Sequence, residues 1–152
     1  MREAEILKSV TTAWAAVTNS ATLLPGGLHE FAAENDNVPN DPSTGRKAEV
    51  YATMNCVEQA IKTKTTGGVV REHILTISVK NNGGLNACAS ILEAMASTTS
   101  GIPANMAALD NSGYMIHMLP HNSSGGTTDN QRAGNPIVAA EIAWKVMTSW
   151  PY

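Results

Sequence analysis

The sequence predicts an α+β fold: a four-stranded, mostly antiparallel sheet with two helices on one face. Three observations predict it. Apolar residues recur first at a helical period, then twice at a strand period, and the series repeats, giving the order α-β-β-α-β-β. The first two strand-like stretches lie close in sequence, as in a hairpin. No linker separates two cores, so residues 1–152 read as one domain.

Each element has its own signal. Ile6, Leu7, Val10, Trp14, Val17 and Ala21 form an apolar stripe, and Arg2, Glu3, Glu5 and Lys8 lie largely off it. This is an amphipathic helix whose first-turn acids suit the helix dipole. Pro25-Gly26-Gly27 ends it. Residues 28–46 are polar, contain Pro39 and Pro42, and read as a long excursion. Val50, Ala52, Met54 and Cys56 then alternate with Tyr51, Thr53, Asn55 and Val57, which predicts a strand. After a polar turn over residues 62–68, Leu75, Ile77 and Val79 alternate with Ile74, Thr76 and Ser78 in a second, β-branched strand.

Asn81-Asn82-Gly83-Gly84 breaks that pattern. Leu85, Cys88, Ile91, Leu92 and Met95 return to helical spacing, and Gly101-Ile102-Pro103 closes the second helix. Residues 102–112 have room for one more helical turn. Tyr114, Ile116 and Met118 begin a third strand that Pro120 is expected to stop. Residues 121–135 are rich in Gly, Ser, Thr and Asn and read as a second long loop. The fourth strand sets Val138, Ala140, Ile142, Trp144 and Val146 on one face. Ala139, Glu141, Ala143, Lys145 and Met147 lie on the other. The Val138–Val146 face and the Leu75–Val79 face are expected to meet the helices.

Composition narrows the function. A chain of 152 residues buries roughly 68–70% of its unfolded surface and needs no metal or disulfide to fold. The net charge of -3, with no basic stripe, argues against a dedicated nucleic-acid binder. Only 15% of residues are charged, a surface that suits a subunit hiding part of itself against partners. Cys56 and Cys88 sit in apolar patterns and make no disulfide framework. The first residues lack the apolar run of a signal peptide, and no run approaches a membrane span.

The candidate chemistry is thin. Cys88 with His117 and Asn122 outlines a small Cys-His hydrolase, but Cys88 falls on the apolar stripe of its helix. His117, Met118 and His121 with a cysteine outline a copper site, yet the histidines straddle a strand and a loop. Gly125-Gly126-Thr127-Thr128 lacks the lysine of a phosphate loop. The acids have no spacing that demands acid–base work. No cofactor or metal is expected.

The element order resembles the tail terminator family of long-tailed bacteriophages, also called tail completion or head–tail joining proteins. "REAEILKSVTTAWAAVTNSATLLPGGL" is similar to the family's opening helix and turn, and "AEVYATMNCV" to its first strand. "REHILTISV" and "NACASILEAMAS" are similar to its second strand and second helix, and "DNQRAGNPIVAAEIAWKV" to its basic loop and final strand. Ala48-Glu49 stands where the family often has Pro-Tyr, and Asn135-Pro136 is a departure before the last strand.

The resemblance implies a structural virion protein of the tail or neck, made in the host bacterial cytoplasm, with no catalytic residue. It implies a homo-oligomeric, hexameric ring that caps the tail tube protein and meets a head-completion or other neck protein. DNA would pass its lumen without sequence-specific binding, and no membrane is involved. Another neck component, a head-completion (stopper) protein or an adaptor, is the near alternative. An acidic lining would repel phosphate, so Glu30, Glu34, Asp36 and Asp41 are candidate lumen residues, the other reading of this stretch being a solvated loop. Arg132 is a candidate partner contact. Both long loops are expected to be mobile in the free subunit and ordered in the neck.

Overall fold

A computed structural model describes residues 2–30, 39–65, 67–106, 114–129 and 137–151. The elements in chain order are α1 (Arg2–Ala16), α2 (Ser20–Leu23), β1 (Leu28–His29), β2 (Val50–Thr65) and β3 (Gly68–Asn81). They continue with α3 (Leu85–Ala96), α4 (Ile102–Asn105), β4 (Tyr114–Asp129) and β5 (Ile137–Trp150). The expected series is present as α1, β2, β3, α3, β4 and β5. The sheet, however, has five strands in the order β1-β2-β3-β5-β4, because β1 adds to β2 in parallel. The other pairs are antiparallel.

Register fixes which side chains face the helices. Met54 pairs with Ile77 and Ile77 with Ile142, and the rows on either side run Cys56–Leu75–Trp144 and Ala52–Val79–Ala140. These positions share one face because side chains alternate along a strand. All of them are buried except Ile142, which packs partly buried against the same cluster. From α1, Ile6, Val10, Ala13 and Trp14 enter the core, and from α3, Cys88, Ile91 and Met95. α1 lies over β2, and α3 lies over β3 and β5. The expected helix-facing strand faces are therefore the observed ones.

Several boundaries differ from expectation, each for a local reason. The first helix does not run to Pro25. Asn19 takes a left-handed conformation (φ 62°), which separates α1 from the single turn of α2. Ala21 is consequently exposed, whereas Leu24 and Leu28 are buried. β1 is two residues long and gave no pattern to read. It is held by the Gly26 N–H donating to the Val50 carbonyl at 2.9 Å and the Ala52 N–H donating to the Gly27 carbonyl at 3.0 Å. A side chain at Gly26 would meet the Ala48 and Tyr51 Cβ atoms and the Val50 carbonyl at 2.6–2.7 Å, so glycine permits this approach.

The expected turn over residues 62–68 is mostly strand. β2 continues to Thr65 and pairs with β3 through Lys64↔Val69 and Thr65↔Gly68, with register shifts beyond Glu58 and Ile61. The largest correction concerns β4. Pro120 does not stop it, and His121–Asp129, expected as a loop, is strand. The physical reason is its place at the sheet edge, where a residue without an N–H is tolerated on the outer side. A register shift accompanies it between Pro120 and Asn122. Asn130–Asn135 and Pro136 lie outside the described residues, as do residues 107–112. Within the expected extra turn, α4 occupies Ile102–Asn105 with Pro103 in its first turn.

Of the first expected loop, Leu28–His29 forms β1, and residues 31–38 lie outside the described residues. Residues 40–47 form a small closed turn, with Asn40 bridged to Lys47. Residues 121–129, expected as part of the second long loop, are thus paired as strand with β5.

Burial separates the two kinds of apolar residue that sequence pattern treats alike. Trp144 is fully enclosed, but Leu85, on the predicted stripe of the second helix, is 49% exposed. Trp144→Ala is expected to destabilise the fold by about 3–5 kcal/mol. Leu85→Ala should stay within about 0.5 kcal/mol of wild type. Urea denaturation of the two variants measures both.

Candidate functional site

The proposed acidic lining is only partly described. Glu34, Asp36 and Arg132 lie outside the described residues. Glu30 and Asp41 are described, and the structure places them on two different hollows. Asp41 accepts hydrogen bonds from the Ser43 N–H at 2.8 Å and the Ser43 hydroxyl at 2.7 Å, an Asx turn that ties its carboxylate to its own loop. The hollow beside it is also lined by Arg46, Lys47, Glu49 and Asn82, so charge there is mixed. Sequence reading treated the four acids as one stretch. Folding separates Glu30 from Asp41: Glu30 directly follows β1, which pairs with β2, whereas Asp41 lies in the turn closed by Asn40 and Lys47.

Glu30 instead stands beside the face of the sheet away from the helices. A shallow hollow of about 430 Å³ there is lined by Glu30, Thr53, Met54, Asn55, Thr76, Ser78 and Glu141. Sequence reading put Glu141 on the outer face of the last strand but did not join it to Glu30. The pairing Thr53↔Ser78↔Glu141, which only the register reveals, brings them to one surface. That surface offers three hydroxyls, one amide and two carboxylates.

A second polar group lies on the helix side, where the first turn of α1 covers the sheet. His73 is fully buried, and neither ring nitrogen has a hydrogen-bond partner among the described residues. Its Nε2 lies 3.8 Å from Glu3 Oε1 and 4.0 Å from Glu58 Oε1. Arg71 Nη1 donates to Glu58 Oε1 at 2.5 Å. Burial pushes the His73 pKa below the ordinary histidine value. The Glu3 and Glu58 carboxylates oppose that shift, and Arg71 adds to it. Cys56 adjoins this group, and burial, reinforced by Glu3, pushes its thiol up to about 12.

The hydrolase constellation is not assembled. Cys88 is buried, its Sγ donating to the Val138 carbonyl at 3.4 Å, and burial raises its pKa despite a backbone hydrogen bond that lowers it. His117 pairs with Met147 and Asn122 with Ala143. The run along β5 from Val138 to Met147 is roughly 30 Å at the rise of a strand. Cys88 and His117 therefore sit towards opposite ends of the sheet. Met118, from the candidate copper set, is buried in the core. No group of three or more His, Cys, Asp or Glu among the described residues is arranged to hold a metal ion.

Two outcomes are expected. Below about pH 6.5 the unfolded chain binds a proton on His73 that the folded chain resists. The contribution of neutral His73 is therefore complete above that pH. It is lost as pH falls through the depressed folded value. Denaturation midpoints should drop from pH 7 to 5, and His73→Leu should flatten that slope. Cys88→Ala should cost about 1 kcal/mol, and maleimide should label the folded wild type slowly at both thiols, as labelling kinetics will report. No family model matches this chain, and no curated protein matches it.

Proposed function

We propose that this chain is a structural subunit of a phage neck, a tail terminator that assembles as a ring of six on the tail tube and meets a head protein above it. The observation that carries the reading is the element order. The main elements α1-β2-β3-α3-β4-β5 follow the series on which the sequence resembles that family. The outer sheet face adds support. Its centre is made of Thr53, Asn55, Thr76 and Ser78 with the carboxylates Glu30 and Glu141. Such a surface makes weak contacts with phosphate, whereas a DNA-gripping surface needs clustered Lys and Arg. A lumen that lets a genome slide through requires that weakness.

Within this reading Glu30, joined by Glu141, is the candidate lining among the described residues. Asp41 lines the other hollow, on the loop side of β2. Among the described residues no helix is long and apolar enough to cross a membrane. Another neck component would share this fold logic but sit at a different level of the particle.

Native mass spectrometry of complexes released from particles tests the ring. The expected result is a closed six-copy species, with immunogold label at the head-proximal end of the tail. A chain that is monomeric both free and in particles would overturn the reading. Label at the portal or on the head shell would move the protein to another neck position.

A further inference from the structure

The sheet has two open edges, and they are unlike. On one side, no strand lies beyond β4 among the described residues. On the other, β1 covers β2 at Ala52 and Thr53 alone. From Met54 to Thr65, β2 has no further strand partner on its outer side among the described residues. Unpaired edges of this length are templates for another strand.

The direction of the strands restricts which edge fits which. β2, β3, β5 and β4 lie side by side and alternate in direction. Their even number leaves β4 antiparallel to β2. A second copy set beside β4 with its own β2 foremost continues the alternation without being turned over. Its helices stay on the same side of the extended sheet. Unlike edges that meet in this way make a head-to-tail contact, the kind that closes into rings.

Side chains on the outer face agree with this pairing. Val57, Ile74, Lys145 and Leu119 form one row across the sheet. The row ends on β2 with Val57, 46% exposed, and on β4 with Leu119, 52% exposed. Large apolar side chains on this face are thus exposed at the two edges, while the surface between Thr53 and Glu141 is polar. Both residues lie in unbulged backbone, within the regular stretches Val50–Glu58 and His117–Pro120. β4 is guarded by Pro120 and by register shifts on either side of the His117–Pro120 stretch, but not by charge. It contains no Lys or Arg, and Asp129 is its one carboxylate.

We propose that neighbouring copies of this chain join sheet to sheet, residues 114–120 of β4 in one against the outer side of β2 in the next, with Leu119 packed beside Val57 and the pairing ending before Ala52 and Thr53, where β1 already lies. The inference rests on the ring reading and specifies its interface. Backbone hydrogen bonds supply the contact, and the two apolar side chains set its register as cross-strand neighbours do. The polar faces of successive copies then merge into one continuous surface.

The test is cross-linking of a Val57→Cys, Leu119→Cys double variant with a short bis-maleimide, in purified protein and in assembled particles. The expected product is a covalent ladder that ends at the closed oligomer, with peptides joined through positions 57 and 119. Each single variant should give no ladder. Self-cross-linking of a single variant would show like-to-like edge pairing and overturn the proposal. A closed oligomer with no 57–119 link would overturn it while leaving the ring reading intact. A chain that is monomeric in both preparations would remove the ring reading and this interface together. Charge swapping provides a second measurement. Val57→Lys and Leu119→Lys should each weaken assembly about tenfold. Val57→Lys combined with Leu119→Glu should restore it, at unchanged circular dichroism. Failure of the combination to restore assembly counts against the proposed seam.

Discussion

The ladder between β3 and β5 is the constraint on which the rest of the structure depends. It runs from Val69↔Trp150 to Asn81↔Val138 and joins two antiparallel hairpins that would otherwise be separate. Neither hairpin closes a core alone, and isolated hairpins are marginal in water. Once joined, Leu75 and Trp144, Ile77 and Ile142, and Val79 and Ala140 form a continuous apolar floor. α1 and α3 then have a surface broad enough to bury their stripes. The free Cys88 thiol fits this arrangement as a small apolar group at the β3–β5 junction, its weak donor met by carbonyls of both strands.

The regular core was legible in the sequence, and the irregular edges were not. Alternation in Leu75–Val79 and Val138–Val146 identified the faces that meet the helices, because those strands are central and packed on one side only. The stripe of α3 was correct at Cys88, Ile91 and Met95 but wrong at Leu85, which begins the helix beyond the reach of the sheet. The second half of β4 is not legible, because His121–Asp129 carries no apolar alternation. Its pairing is imposed by β5, and tertiary context routinely overrides weak β propensity. β1 left no signal because a two-residue parallel pairing depends on what Gly26 allows rather than on its own side chains. The candidate acids could be found as residues but not as a site. The union of Glu30 with Glu141 depends on register across three strands.

The buried polar group under α1 is a different kind of feature. His73 stands where a purely apolar design would place a leucine, with Glu3, Glu58 and Arg71 at its partly exposed rim. Leaving a buried polar atom without a partner costs on the order of 1–3 kcal/mol. The enclosed Trp144 and Trp150, whose indole Nε1 donates to Thr148 Oγ1 at 2.7 Å, help to offset that cost.

The same central ladder has a kinetic side. The β2–β3 hairpin pairs residues near one another in the chain, and so does β4–β5. β3–β5, in contrast, brings together residues as distant as Val69 and Trp150. Contacts this far apart make folding slow, because chain entropy is lost before the pairing rewards it. During that interval both hairpins show an unpaired inner edge and an uncovered apolar face, the combination that favours wrong partners. A chain of this topology will fold most cleanly when dilute or attended by chaperones. Crowded synthesis of many copies is the condition under which its own β5 strands are most exposed to exchange between molecules.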